Sequence, residues 1–459
     1  MTINLLAVST AKNTTRILKK MINQSAGKIN LKLHLGDSDA DFKASSLVRM
    51  NLKKGLAGHL LEKDRFYGID HQLMATNNFS KDLETLIDQL YRHADAYRYK
   101  SHNLQNLQDY LDYYHILADI LSEQLISKKI NHVLFFNIPH LVYDTIIYQL
   151  ALSLNIEVTI VTQSLFPNKF FSLCLVDNYG DFQKTLSISE SSNYEIPTVD
   201  LFYMKKVKQE KEKNGTLNIK AIFNFLLFIF FKNPSNLFKP LYIYKIIARI
   251  NKIYQSFPKW RQPFANFFHT NELAYFEHLA QFENSSINLN EKYVYFPLAM
   301  QPEMTTSAIG GNYRDQILAI EELSRILPAD VKILVKENPK QGSYARGPLF
   351  FHRLSRIKSV CFLPSFANTT ELLENSLFVA TVTGTVGWEA LYTGKKVLVF
   401  GHAWYKNLTG VIKFYKGITF QEILKKPVDM KLLGYDFSNL MSMSHEGVVD
   451  RGYIELVDN

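Results

Sequence analysis

Cysteine is scarce: Cys174 and Cys361 are the two in 459 residues. They lie far apart in sequence and form no metal-spaced pair, which excludes a disulfide framework and points to a reducing compartment. Long apolar runs are missing as well. The opening residues, MTINLLAVSTAKNTTRILKK, hold about five consecutive apolar residues, short of the 7–15 of a signal-peptide core. No stretch approaches the roughly 18 apolar residues of a spanning helix. A cytoplasmic protein is expected. Walker A, HExxH, CxxC and GxSxG patterns are also absent, so the best-marked nucleotide, zinc, thiol-redox and serine-hydrolase chemistries find no foothold. The acidic run LGDSDADF offers Asp37, Asp39 and Asp41, but an EF-hand fails there. Phe42 stands where glycine is required and Val48 where the bidentate Glu belongs. A DxD manganese motif would belong to a different, single-domain transferase architecture, and a solvated loop is the plainer reading. No metal and no cofactor is expected.

What is present is a folded, basic chain. Hydrophobic residues make up 47% and charged residues 21%, the balance of a globular protein. The length calls for two domains, expected as 1–290 and 291–459. The formal charge is +9, and the basic residues cluster. A charged stretch runs from Lys205 to Lys213. Residues 221–264 then mix Phe, Leu and Ile with Lys232, Lys239, Lys245, Arg249, Lys252, Lys259 and Arg261. This segment reads either as a surface resting on an anionic membrane or as core helices joined at Pro234. Bulky aliphatics between the cations, and the lack of a recognised binding motif, argue against nucleic acid.

The hydrophobic pattern alternates strand and helix. Strands are expected at Asn4–Ser9, Ile29–Leu35, His132–Asn137 and Ile156–Thr162, with helical periodicity across 78–127 and in PHLVYDTIIYQLALSLN. A second series follows: strands at Lys292–Leu298, Val331–Lys336, Val360–Leu363, Leu377–Thr381 and Lys396–Phe400. Helices are expected at Tyr313–Leu327, Thr369–Asn375 and Gly387–Tyr392. Strand–helix–strand at this spacing implies right-handed parallel crossovers. The expected fold is α/β and GT-B-like: two Rossmann-like doubly wound domains facing a cleft, with ligands beyond the carboxyl ends of the strands.

Four stretches can carry chemistry there. In LFVATVTGTVGWEALYTG, Thr383, Gly384, Thr385 and Gly387 lead into a helix whose N-terminus suits a phosphate, and Glu389 can accept from ribose hydroxyls. The two glycines would let the backbone approach a ligand; a tight strand-to-helix turn is the plainer explanation. In VKILVKENPKQG a strand delivers Lys336, Glu337 and Asn338 to its end, with the lysine as a point charge for phosphate or a solvated strand terminus. The stretch VYFPLAMQPEMTTSAIGG places Gln301, Glu303, Thr305, Thr306 and Ser307 after a strand. A carboxylate there can act as nucleophile or base, with hydroxyls orienting a sugar, or simply cap a helix. In NIPHLVYD, His140 and Asp144 sit four apart on one helix, either as an oriented proton-transferring pair or as a capped helix start.

The ordered set QPEMTTSAIGG, VKENP, FLPSFANTTELLENS, TVTGTVGWEALYTGKKVLVFG and HAWY, with NIPHLVYD before it, resembles the bacterial capsule and surface polysaccharide biosynthesis proteins. These include retaining transferases of Kdo and related nonulosonic acids from CMP-sugars. The resemblance covers roughly residues 290–412. It implies a metal-independent glycosyltransferase moving pseudaminic, legionaminic or sialic acid, or Kdo, from its CMP-activated donor to a capsule or surface glycan. The acceptor would be held on a lipid, placing the protein peripherally at the inner membrane. In that family a Lys-x-His-Pro motif contacts the nucleotide phosphate. Here it reads Lys336-Glu337-Asn338-Pro339, and asparagine can donate a hydrogen bond but cannot become charged. By position Glu303 matches the family's nucleophilic carboxylate, with His140 or Asp144 as base toward the acceptor. A UDP-sugar 2-epimerase-like enzyme and a non-catalytic polysaccharide assembly protein are the alternatives.

Overall fold

The computed structural model describes residues 2–9, 12–36, 42–43, 65–68, 107–166, 168–182, 234–245, 247–248, 288–301, 303–338, 341, 346–363, 367–450 and 453. The chain forms two compact units, residues 1–194 with 302–311 and 435–459, and residues 195–301 with 312–434. The sequence expects a single break at 290/291; the units change over at 194/195, 301/302, 311/312 and 434/435.

In the first unit, strand β1 (Ile3–Val8) leads through helix α1 (Lys12–Gln24) to β2 (Ile29–Gly36) and a short β3 (Phe42–Lys43). Helix α2 (Leu107–Ser127) then precedes β4 (His132–Phe135), α3 (Val142–Ser153), β5 (Glu157–Gln163) and β6 (Lys169–Leu173). The strands order as β13-β6-β5-β4-β1-β2-β3, where β13 is His445–Glu446. All neighbours from β5 to β3 are parallel, while β6 pairs antiparallel with both β5 and β13. Right-handed crossovers put α1 on one face and α2 and α3 on the other. Beneath α3 the sheet is closed: Val133, Phe135, Val158 and Ile160 are buried, as are Ile146, Ile147 and Leu150 of the helix itself.

The second unit's sheet is wholly parallel: β7 (Tyr293–Pro297), β8 (Lys332–Lys336), β9 (Val360–Leu363), β10 (Val379–Thr381), β11 (Val397–Val399) and β12 (Val411–Lys413). Their order is β12-β11-β10-β7-β8-β9. Succession runs outward from β7 on one side and from β10 on the other, so the order reverses between these two strands. That is the doubly wound pattern, whose ligand crevice opens at the carboxyl ends of the strands flanking the reversal. The helices are α4 (Gln316–Ile326), α5 (Pro348–Ser355), α6 (Thr369–Asn375), α7 (Thr385–Tyr392) and α8 (Phe420–Lys425), while α9 (Met430–Ser442) begins in this unit and belongs to the first from Tyr435 on. Asp315 and Asn368 cap α4 and α6 with their side chains, as short polar residues do at N-caps. Val294, Phe296, Ile333, Val335, Phe378, Ala380 and Leu398 form the core beneath them.

The α/β class with two parallel-rich, Rossmann-like sheets is thus as expected. Val360–Leu363 and Thr369–Asn375 fall at their expected bounds, and most other elements within a few residues. The expected helical stretch is described from Leu107 on; its residues 78–106, and Asp37, Asp39 and Asp41, lie outside the described residues.

Candidate functional site

One strand away from the second sheet's reversal, Lys336 ends β8 with its side chain buried. Its Nζ donates to Ala367 O at 2.8 Å and to Thr369 Oγ1 at 2.6 Å. An ammonium carries three N–H donors, so one is left over among the described residues. Burial pushes the lysine down to about 8, opposed by the negative charge of Glu389. Glu389, half-buried on α7, is pushed up by burial and drawn down by Lys336. The two are beyond ion-pair distance yet act on each other electrostatically, a cation and an anion held apart at the sheet's edge. Tyr295, from the middle of β7, hydrogen bonds Thr369 and is kept protonated chiefly by its burial. Sequence reasoning found Lys336 and Glu389; it missed Thr369 and Tyr295. Thr369 carried the only available signal, as the first helical residue after the Asn368 cap.

The Thr383–Gly387 turn owes its glycines to the protein itself. Gly384 donates its N–H to Thr381 Oγ1 at 3.1 Å, and a Cβ there would lie 2.8 Å from that oxygen. A Cβ at Gly387 would lie 2.1 Å from Tyr405 Oη, whose hydroxyl donates to Gly384 O. Close approach of backbone to side chain is reason enough for both. Thr383 is buried and Thr385 half-buried. In the first turn of α7 the Gly387 N–H donates to Gly384 O at 3.0 Å, while the N–H groups ahead of it have no carbonyl within the helix to meet. Gly387→Ala is expected to lose about 1–3 kcal/mol, the usual cost of overpacking, read as a fall in the urea midpoint. Tyr405→Phe should rescue it only in part, because the ring Cζ would still lie at 2.7 Å.

The strand exit after β7 is held by a buried polar network. Glu337 and Arg346 form an ion pair at 3.0 Å with both side chains fully buried. Arg346 also donates to Ala299 O at 2.9 Å and to Gln301 Oε1 at 3.2 Å, and its guanidinium lies 4.4 Å from the centre of the Phe350 ring. Gln341 clamps the Gln301 backbone through both amide atoms, at 2.8 and 2.7 Å. Gln316 does the same for Ala299, at 2.8 and 3.0 Å. Gln301 is therefore engaged within the protein through backbone and side chain. Glu337 turns inward, while Asn338 donates its backbone N–H to Glu337 Oε1 at 2.8 Å.

Beyond this clamp, Glu303 begins a single π-type turn, Met304–Ala308, counted with the first unit. Its backbone N–H donates to Thr306 Oγ1 at 3.1 Å and its carbonyl accepts from Ser307 N at 2.7 Å. Thr306 and Ser307 are buried, so they shape the turn; Glu303 and Thr305 are half-buried. Gly311, with φ of +55°, makes the left-handed turn that follows.

His140 follows β4, beside the first sheet's own reversal between β1 and β4. Its Nδ1 meets Ile138 O at 2.6 Å. A carbonyl can only accept, so the proton sits on Nδ1 and a neutral ring keeps its lone pair on Nε2. Asp144 does not orient this ring. It accepts from the backbone N–H groups of Leu141 at 2.7 Å and His140 at 3.2 Å, closing the start of α3, and burial pushes it up to about 8. Among the described residues no group of three or more His, Cys, Asp or Glu could hold a metal ion, and no helix is long and apolar enough to cross a membrane.

A family model described as "Capsule polysaccharide biosynthesis protein" matches residues 244–445. That stretch contains β7 to β12, the Lys336–Glu389 pair, the Arg346 network and Glu303. No curated protein sequence matches the chain. Among solved structures, it is similar to KpsC of Thermosulfurimonas dismutans, beta Kdo 2,7 transferase, at 11% identity and a TM-score of 0.32, covering 82% of this chain and 95% of that one. The beta Kdo 2,4 transferase of the same KpsC matches at 12% identity and 0.29, over 68% and 79%. UDP-GlcNAc 2-epimerase from Neisseria meningitidis matches at 13% and 0.24, over 99% of both chains.

Proposed function

We propose that the protein is a glycosyltransferase of capsule or surface polysaccharide synthesis, moving an acidic nonulosonic sugar from its CMP-activated form to a saccharide acceptor. The observation that carries this reading is the Lys336–Glu389 pair, which comes from β8 and the helix after β10 beside the second sheet's reversal, inside the stretch that matches the capsule family model. Lys336 and the first turn of α7 meet the charge on the leaving CMP phosphate, with the Thr383 and Thr385 hydroxyls beside them. Glu389 takes the ribose hydroxyls. The Asn338 amide donates where the family's histidine would. Glu303, its backbone fixed by Thr306, attacks the anomeric carbon as CMP leaves. The resulting glycosyl-enzyme then passes the sugar to an acceptor hydroxyl deprotonated by His140 Nε2, with net retention. Incubation with donor alone is expected to leave one added sugar, found by intact mass spectrometry and mapped by peptides to 301–307. A sugar on another carboxylate would move the nucleophile, and an inverted product would remove the need for one.

The acceptor is held at an anionic membrane. Residues 240–245 and 247–248 are helical, and their two sides differ. Tyr242, Ile243 and Ile247 pack against the second unit's core. The opposite side presents Leu241 at 67% and Tyr244 at 70% exposure, beside Lys245, with Phe238 at 85% just before. Between Glu212 and Glu272 the sequence holds no Asp or Glu. Over residues 240–245 and 247–248 the two sequence readings are therefore compatible: one side is core and the other is an interfacial face of aromatics and lysines; the segment's residues 221–233 and 249–264 lie outside the described residues. The protein should float with vesicles containing phosphatidylglycerol, and Leu241→Ser with Tyr244→Ser should abolish this without changing the melting temperature. Each nearby lysine adds about 1 kcal/mol, so recovery should fall with salt. Equal recovery on neutral vesicles would remove the electrostatic part of this reading.

A further inference from the structure

The first unit contains a cavity of about 890 Å³ that the transferase reading does not use. It opens on the face of the sheet that carries α1. Burial along β5 shows why there is room: Val158, Ile160 and Thr162 are buried under α3, whereas Thr159, Val161 and Gln163 on the other face stay half-exposed. Register puts Leu134 beside Thr159 on that face, and Leu134, Phe136, Val161 and Phe170 form an apolar floor. The volume is within the range of small-molecule sites, about 300–1,000 Å³.

The polar groups around this floor are mostly spoken for. Thr159 Oγ1 bonds His132 Nε2 at 2.9 Å, Ser25 Oγ donates to Ile22 O at 2.7 Å, and Glu446 pairs with Lys169 at 3.2 Å. What remains is the Gln24 amide and two cations. Arg16 and Lys20 line the cavity one helical turn apart on α1, and neither has a carboxylate partner among the described residues. An apolar floor under two uncompensated cations matches one kind of molecule. We propose that this cavity binds an anion carried on an apolar chain, with a phosphate or carboxylate head at Arg16 and Lys20 and the chain over Phe136, Val161 and Phe170. The site is independent of the nucleotide site, and neither proposal depends on the other.

Calorimetric titration of the full chain with octyl phosphate, below its micellar concentration, tests this. One equivalent should bind. Inorganic phosphate, lacking the chain, and octyl glucoside, lacking the charge, should each bind at least tenfold more weakly. Arg16→Glu with Lys20→Glu, both on exposed positions of α1, should weaken octyl phosphate at least tenfold with an unchanged melting temperature. Ile17→Asp, which places a carboxylate in the cavity wall, should do the same. CMP binding should survive in both variants. The inference is overturned if octyl phosphate does not bind, if phosphate or octyl glucoside binds as tightly, or if the α1 variants bind as the parent does.

Discussion

Arg346→Leu is expected to destabilise the protein by about 3–5 kcal/mol, the usual result of stripping one partner from a buried ion pair. Arg346 and Glu337 are both fully buried, so without the guanidinium the carboxylate has neither water nor a counter-charge. Burial already pushes Glu337 up and Arg346 is the main force holding it down; in the variant that carboxyl takes a proton. Ala299 O and Gln301 Oε1 lose a donor at the same time. Chemical denaturation measures the loss. Adding Glu337→Leu should restore a substantial part, because an apolar pair leaves no orphaned charge. A single-variant loss below about 1 kcal/mol, the scale of an exposed pair, would mean that the network does not hold the strand exit.

Lys336→Met is expected to weaken CMP binding about 10- to 150-fold, the equivalent of the roughly 1.5–3 kcal/mol of a hydrogen bond to a charged group. The substitution keeps the apolar stem and removes the ammonium. The lysine's position near 8 adds a signature in pH. It is charged below that value and neutral above it, so CMP affinity should fall as pH rises through about 8. Glu389 supports the charged form; Glu389→Gln removes that support and should move the fall to lower pH. Titration calorimetry from pH 6.5 to 9.5 reads both. Affinity independent of pH, or unchanged in the methionine variant, would take Lys336 out of the phosphate site.

The parallel strands and the helices between them were legible because strands buried on both faces read as continuous apolar runs, with caps such as Asn368 marking where helices begin. The elements that departed from the pattern were harder. Strand β6 turns back antiparallel, and β13 reaches the first sheet from the far end of the chain, a pairing no local pattern encodes. Lys336 and Glu389 could be placed because one ends a strand and the other lies on the helix that follows a strand. The role of Gln301 could not, because it depends on Arg346, which lies in a stretch, QGSYARG, with no periodicity. Gly387 shows the same limit: its neighbour Tyr405 is distant in sequence, so the packing reason for the glycine was hidden. For Asp144 the sequence gives the four-residue spacing to His140 but not which atoms of His140 it meets, and those turn out to be backbone.

The most direct measurement is to incubate the protein with a panel of CMP-activated Kdo, sialic, pseudaminic and legionaminic acids and a capsule saccharide, following CMP and product by mass spectrometry. The account predicts CMP release from one of these donors and an acceptor heavier by one acidic sugar, both lost in Lys336→Met. No CMP release from any donor, or conversion of a UDP-sugar to its 2-epimer with no acceptor present, would contradict it.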